Sequence, residues 1–551
     1  MWTRLIERFP LIHPLPQGGI VFGIMFFLVL LDALRRVMGK ELVIVVIVIA
    51  AYTLYGQYTY GIFKHLGYSI ADVIDVTYLS TEGTFGETLG ISASYLFLYV
   101  LFGSFLVRSG VGEMIIDLGK ALAGHRTGGA GKIATITTAG FGMISGSAVA
   151  SVLTIGTFTI PLMRKMGYGA IHAGALIAIG STGGIIMPPV MGAVAFLMAQ
   201  YLGMPYGMVI IYAFLPACLY YLCLYASTHF EAKKLRLPVL KKDELPHALK
   251  VLRKGWYLLI PVILLIGFLI RQYSAAFAVL VAIYANIILM IVMPQKKFKE
   301  RILDIILSLK QGARDALLVV VALAVANLIE GLISITGVAL KISTILVRVS
   351  PNVFVLLGLA AGTLFILGLA LPSFVIYITA VPILVPPLVK FGLDPVAVHL
   401  FLVYWAVLSM ITPPTGASFY AAAAVAQAPV MRVGWMATRI AAPIYLLTFM
   451  LALHPALLLR GAHIWETFYY IIPASIGVIC MAAANTGFLL SELRPLERLM
   501  LIIAGIFLIY ASPLFLILGM FSLITVVYTQ VIKKKYLSRD LEVTPNDNSK
   551  K

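Results

Sequence analysis

Four short stretches decide the fold: Gly142-Met-Ile-Ser-Gly-Ser147, Ser181-Thr-Gly-Gly-Ile-Ile-Met-Pro188-Pro189, Gly368-Leu-Ala-Leu-Pro-Ser373 and Thr412-Pro-Pro-Thr-Gly-Ala-Ser418. They form two pairs. Adding 225 to a position in the first half carries Thr154 onto Thr379, Pro161 onto Pro386, Gly167 onto Gly392, Pro188 onto Pro413 and Pro189 onto Pro414. Upstream of Thr154 the offset becomes 226, which carries Gly142 onto Gly368 and Ser147 onto Ser373. Pro and Gly seldom coincide by accident inside apolar helices, because each fixes a break or a close approach of two backbones. The chain therefore reads as an internal repeat, each unit an interrupted apolar segment followed by a helix broken at Pro-Pro.

The surroundings of these stretches are those of a membrane chain. Of 551 residues, 61% are hydrophobic, with 41 Lys and Arg against 23 Asp and Glu, and the mean hydropathy is +1.00. A helical span needs about 20 apolar residues, and this composition excludes a soluble multidomain enzyme, a disordered chain and a disulfide-stapled secreted domain. Thirteen spans are expected, near 18–34, 42–59, 91–108, 168–200, 206–228, 256–271, 274–293, 313–349, 395–427, 434–458, 464–488, 498–511 and 513–531. The segments 130–165 and 353–390 are apolar but interrupted, and read as two re-entrant hairpins, which a bilayer permits only where protein or water covers the broken backbone. The first apolar run is followed by Arg35-Arg36 rather than a small-residue cleavage site, so it is expected to stay as a helix. Cys218, Cys223 and Cys480 lie in apolar runs without metal-ligand spacing and read as packing residues.

Charge orients this layout. In a soluble protein the net charge of +18 would suggest nucleic acid, but here the basic residues sit between apolar runs, where they orient spans. The loops 229–255 and 294–312 are rich in Lys and Arg and are separated by two spans, so both are expected on the cytoplasmic side. With the hairpins counted as no crossing, Arg35, Arg36, Arg108, Arg164, Lys165, Arg432 and Lys533 also fall inside, and the acidic stretch 60–90 falls outside. The expected orientation is N-terminus out and C-terminus in. The segments expected in order are 1–90 (N-terminal helices and an external stretch), 91–229 (first repeat), 230–312 (linking spans), 313–459 (second repeat), 460–531 (C-terminal spans) and 532–551, a disordered tail. Five crossings separate the starts of the repeats, and an odd number inverts one relative to the other. The fold class expected is thus an all-α polytopic membrane protein with inverted repeats, two re-entrant hairpins and two discontinuous helices.

Inverted repeats with broken helices point to secondary transport. A helix broken at midplane leaves carbonyls without partners at one end and N–H groups at the other. Carbonyls suit a hard cation such as Na⁺; N–H groups and the positive end of the dipole suit a carboxylate. The hydroxyls of Ser147, Thr182, Ser373 and Thr415 can complete either shell, and these four are the candidate substrate contacts. Taken singly, each such Ser or Thr reads equally well as interhelical packing; the duplicated constellation is what favours a site.

At these residues the sequence resembles the large membrane subunit of the tripartite ATP-independent periplasmic (TRAP) transporters. The stretch 141–195, with GMISGSAVASV, TIPLMRKMGY and HAGALIAIGSTGGIIMPPVMGA, is similar to that family's first hairpin and broken helix, and LALPS, VPILVPPL and MITPPTGAS to the partner pair. The stretch 82–129 and the spans after about 460 resemble the fused, TAXI-type permeases, and the resemblance covers roughly 18–531. It implies an elevator-type carrier of the ion-transporter superfamily in a bacterial or archaeal cytoplasmic membrane. The cargo would be a dicarboxylate, a keto acid or an amino acid such as glutamate, delivered by a periplasmic TAXI-type binding protein. It also implies one cation near Ser145, Gly146, Ser147 and Gly183, a second near Pro372, Ser373, Thr412 and Gly416, and substrate between them. The only metal expected is Na⁺ as coupling ion, with H⁺ the alternative, and no cofactor. Fused relatives usually carry a longer region ahead of the large subunit, whereas two spans precede it here, so a separate small membrane subunit or a trimmed architecture is implied.

Glu330, in Asn327-Leu-Ile-Glu330-Gly331, departs from the small or apolar residue more usual there. A carboxyl at membrane depth is costly unless it faces polar protein or water; it reads as a proton carrier or as a local ion-pair or hydrogen-bond anchor. His172 reads as hydrogen-bonded packing more readily than as a proton relay, and Arg439 and the Arg314-Asp315 pair as snorkelling groups. The segment 111–124 reads as an amphipathic helix along the interface. Membrane lipid is the surrounding partner. No paired His metal motif, Gly-x-Ser-x-Gly elbow or phosphate loop occurs, which disfavours a membrane-embedded enzyme and a nucleotide-driven pump. A carrier needing no binding protein remains the alternative within transporters.

Overall fold

The structure is a computed structural model that describes residues 11–240, 243, 245–292, 297–349, 352–369, 371–461 and 463–542, without the side chains of Glu41 and 534–542. Helices account for the fold; among the described residues the only strand-like pairing is an isolated bridge between Phe488 and Glu492. Among the described residues nine helices are long and apolar enough to cross a membrane, ten if a pair bent by 46° is taken as one span.

In chain order, α1 (Gln17–Met38) and α2 (Lys40–Tyr55) precede α3 (Glu87–Arg108) and α4 (Val111–Ala123). The first repeat follows as α5 (Gly129–Ser145), α6 (148–165, with a π turn at Val152–Gly156), α7 (Ala170–Gly183) and α8 (Ala193–Tyr201). Then come α9 (Tyr206–Lys234), α10 (Ala248–Ile270), α11 (Ala275–Val292), α12 (Phe298–Thr336) and α13 (Val338–Val349). The second repeat is α14 (Val353–Gly368), α15 (Ser373–Lys390), α16 (Pro395–Leu408) and α17 (Ala417–Ala426). The chain continues with α18 (Val430–Ile440), α19 (Ala442–Leu453), α20 (Ile464–Thr486), α21 (Pro495–Tyr510) and α22 (Pro513–Glu542).

Burial separates helices that face lipid from those that form the core. In α1 and α22 only 17% of the most apolar window is buried, whereas in α12 and α15 the figure is 67%. Apolar side chains left outward on α1, such as Phe22, Met25, Leu28 and Val29, suit hydrocarbon and not water.

Several expectations are corrected. The expected span 313–349 is two helices: α12 begins at Phe298 and ends at Thr336, capped by Gly337 with a left-handed φ of 65°, and α13 is separate and amphipathic. At 1.5 Å per residue the 39 residues of α12 extend about 58 Å, well beyond a hydrocarbon core, so much of the expected loop 294–312 is helix. The expected span 434–458 is the bent pair α18 and α19, with Pro443 in the first turn of α19, where a missing N–H breaks the ladder. The expected disordered tail is helical as far as Glu542, and 543–551 lie outside the described residues. The acidic stretch leading into α3, expected only to lie outside, is packed against the rest of the fold. Asp75 is buried and accepts from the Leu11 amide at 2.8 Å, and the carbonyl of Glu82 sits against Gly331 of α12, where an added Cβ would lie 2.4 Å away.

Candidate functional site

Each repeat folds as a helical hairpin whose tip meets the break of the following helix. In the first, α5 ends at Ser145, Gly146 turns the chain with φ of 59°, and Ser147 caps α6, its Oγ accepting from the Ala150 amide at 3.3 Å. A Cβ on Gly146 would lie 2.2 Å from the Met191 carbonyl oxygen, so only glycine fits this tip against the broken helix. The break runs from Met187 to Gly192, with the Val190 amide donating to the Met143 carbonyl at 3.2 Å and the Gly192 amide to the Ile185 carbonyl at 2.7 Å.

The second repeat reproduces these contacts at the shifted positions. A Cβ on Gly142 would lie 2.2 Å from the Gly184 Cα; a Cβ on Gly368 would lie 2.5 Å from the Ser409 Cβ, and 184 and 409 are related by the same offset of 225. Val190 and Thr415 are likewise equivalent, and Thr415 Oγ1 donates to the Leu369 carbonyl at 2.8 Å, the counterpart of Met143. A tyrosine closes each break: Tyr206 donates to the Pro189 carbonyl and Tyr420 to the Pro414 carbonyl, both at 3.0 Å. The Pro188–Pro189 and Pro413–Pro414 bonds are both cis.

The proposed contacts fall into two groups. Ser145, Gly146 and Ser147 share the first tip, with Ser147 exposed, while Gly183 is buried near the end of α7, where an added Cβ would lie 2.4 Å from the Tyr220 ring. Pro372 and Ser373 open α15 at the second tip, and Thr412, Thr415 and Gly416 occupy the facing break. Thr415 is exposed; Thr412 is buried, donating to the Leu408 carbonyl at 2.8 Å and paired with the Tyr445 hydroxyl. Thr182 is fully buried, and its Oγ1 donates to Ser418 Oγ at 2.9 Å, so in this conformation its hydroxyl joins the two repeats instead of facing a ligand. The same crossing packs α7 against α17, where a Cβ on Gly174 would lie 3.1 Å from the Ala426 Cβ. The chemistry on offer at the tips is hydroxyl, carbonyl and N–H, the donor set of a hard cation and an anion side by side. Among the described residues no three His, Cys, Asp or Glu side chains converge as metal ligands.

A cavity of about 870 Å³ lies apart from these tips, between 81–90, α12, Tyr201 and the prolines Pro382 and Pro386 of α15. Glu82, Glu87 and Glu330 line it, and Glu330 Oε2 accepts from the Tyr201 hydroxyl at 3.0 Å. Sequence reasoning used the acidic stretch holding Glu82 and Glu87 only to orient the chain and did not join it, or Tyr201, to Glu330. Lys132, at the base of the first hairpin, was also passed over: it is buried, 3.1 Å from His229 Nδ1 and over the Tyr225 ring.

With this geometry established, known proteins give it a family. The family profile described as "Tripartite ATP-independent periplasmic transporter, DctM component" matches residues 24–465. The C4-dicarboxylate TRAP transporter large permease protein DctM of Pseudomonas aeruginosa is 27% identical over 340 residues, 60% of this chain and 77% of that protein. The 2,3-diketo-L-gulonate TRAP transporter large permease protein YiaN of Escherichia coli is 25% identical over 323 residues, 58% of this chain and 74% of that protein. Among solved structures, that of the Alcanivorax borkumensis YdaH transporter aligns with a TM-score of 0.46 and 15% identity, covering 79% of this chain and 98% of that one. The chain belongs to the DctM family, the large permeases of the tripartite ATP-independent periplasmic transporters.

Proposed function

We propose that the chain is a secondary active, cation-coupled uptake permease for a carboxylate-bearing organic anion: a dicarboxylate, a keto acid or an amino acid such as glutamate. Relatives named for C4-dicarboxylate and for diketogulonate, both carboxylates, support that substrate class. Large permeases of this family work with a periplasmic binding protein and usually a small membrane subunit; here the delivering protein is of TAXI type, and the small-subunit role falls either to a separate chain or to a trimmed form of it within this one. The orientation in the inner membrane is N-terminus out and C-terminus in.

The observation that carries this reading is the duplicated contact of hairpin tip and helix break, Gly142 with Gly184 and Gly368 with Ser409. Two equivalent places where backbone leaves its helical partners supply two cation sites, one at Ser145, Gly146, Ser147 and Gly183 and one at Pro372, Ser373, Thr412 and Gly416. Substrate sits between them, contacted by Ser147, Ser373 and Thr415, with Thr182 joining when the Ser418 bond opens. The hairpins and broken helices move together as the transport unit of an elevator, and Na⁺ is the coupling ion that carbonyl and hydroxyl oxygens favour.

Ser147→Ala and Ser373→Ala are each expected to raise the Na⁺ concentration for half-maximal uptake by about ten-fold, the loss of roughly 1.4 kcal/mol from one oxygen ligand. An unchanged Na⁺ dependence in both variants contradicts the assignment. With choline replacing Na⁺ and a proton gradient imposed, uptake that Glu330→Gln abolishes assigns coupling to that carboxyl; uptake it leaves intact makes Glu330 only the acceptor for Tyr201.

A further inference from the structure

Where α20 ends, cations from three other helices meet its last carbonyls. Arg439 Nη2 of α18 donates to the Asn485 carbonyl at 2.7 Å, Lys234 Nζ of α9 to the Thr486 carbonyl at 2.8 Å, and Arg498 Nη2 of α21 to the Asn485 carbonyl at 3.2 Å. The negative end of the α20 dipole accounts for their convergence. It does not exhaust them, since a guanidinium carries five N–H donors and an ammonium three.

Beside these groups opens a cavity of about 80 Å³, lined by His172, Ser227, Glu231, Lys234, Arg439 and Asn485 among others. At about 30 Å³ per liquid water, that is room for roughly two or three waters or one small oxyanion. His172, on α7, is 9% exposed and stacks on Tyr168 with ring centroids 5.9 Å apart. Its Nδ1 lies 3.8 Å from Glu231 Oε1, and its Nε2 is buried without a hydrogen-bond partner. A buried ring nitrogen is seldom left unpaired unless something absent from the protein atoms satisfies it. Glu231 supplies one negative charge, its Oε1 facing the Nδ1 edge of the ring at 3.8 Å, while Lys234 and Arg439 supply two positive ones, with Arg498 at the carbonyl that Arg439 shares.

We propose that this cleft binds a small phosphate-type oxyanion, held by the spare N–H donors of Arg439 and Lys234 and by His172 Nε2. Donors approaching from three helices suit a tetrahedral ion with several acceptor oxygens better than a planar carboxylate. Nε2 can donate to an ionised oxygen or accept the hydroxyl of a hydrogen phosphate. The bound anion would tie α7, α9 and α18 to one another beside the end of α20, independently of which substrate or coupling ion the permease uses. Inorganic phosphate and the headgroup of an anionic phospholipid share this chemistry.

The test titrates the full chain in neutral detergent with inorganic phosphate, with chloride at matched ionic strength, and separately with phosphatidylglycerol, following the thermal unfolding midpoint. A saturable rise with phosphate identifies the free ion; a rise with phosphatidylglycerol alone identifies the headgroup. In either case Arg439→Gln and Lys234→Gln are expected to raise the apparent Kd about ten-fold or more, and Arg432→Gln, an exposed arginine of α18 outside the cleft, to leave it unchanged. The two cleft variants are read separately, so poor folding of one leaves the other decisive. The proposal is overturned if neither probe gives a saturable shift, if chloride does as well as phosphate, or if a folded cleft variant binds as the native chain does.

Discussion

Gly142 and Gly358 are both helical glycines of hairpins, yet they answer opposite demands. A Cβ at 142 would meet the Gly184 Cα at 2.2 Å, whereas at 358 nothing lies within 4 Å. Gly142→Ala is therefore expected to destabilise by about 1–3 kcal/mol through overpacking and to slow uptake. Gly358→Ala is expected to stabilise by about 0.5–1 kcal/mol, since glycine in a helix interior is the more flexible residue. Chemical denaturation of both variants in one detergent checks the pair; equal effects would contradict the close approach. At this scale the sequence marked Gly142 and Gly368 by their spacing. It did not mark their partners, because Gly184 and Ser409 keep the offset but not the residue type. The Tyr201–Glu330 and Thr182–Ser418 bonds were hidden for another reason: each joins side chains more than a hundred residues apart, a relation no local pattern records.

At the scale of elements, the two broken helices cross, α7 packing on α17, and the Thr182–Ser418 hydrogen bond lies buried in that crossing. Thr182→Val keeps the shape and removes the donor, so it is expected to cost about 1 kcal/mol. A double-mutant cycle with Ser418→Ala, read by thermal unfolding, is expected to show a coupling of about 0.5–1.5 kcal/mol; a coupling near zero would contradict the bond. Element boundaries were legible where Gly or Pro interrupts an apolar run, as at Gly146, Pro188–Pro189 and Pro413–Pro414. They were lost where hydropathy stays high across a real end. The helix stop at Gly337 lies inside an apolar run, and the bend before Pro443 turns on one missing N–H that hydropathy does not register. The basic start of α12 failed in the opposite sense: charge there marks the place where a helix leaves hydrocarbon, not where the helix begins.

At the scale of the whole molecule, composition establishes the membrane chain, and the repeat establishes where its symmetry lies. The apolar faces of α1 and α22 outside and the buried stretches of α12 and α15 inside are the structural form of that composition. The large cavity beside Glu330 and the cationic cleft beside His172 lay beyond the reach of the sequence, since each is assembled from helices distant along the chain. What the molecule does as a unit is tested in proteoliposomes by uptake of a labelled carboxylate, with the loaded periplasmic binding protein and an inward Na⁺ gradient each present or withheld. The account predicts uptake only when both are supplied; equal uptake without the binding protein, or without any cation gradient, would contradict it.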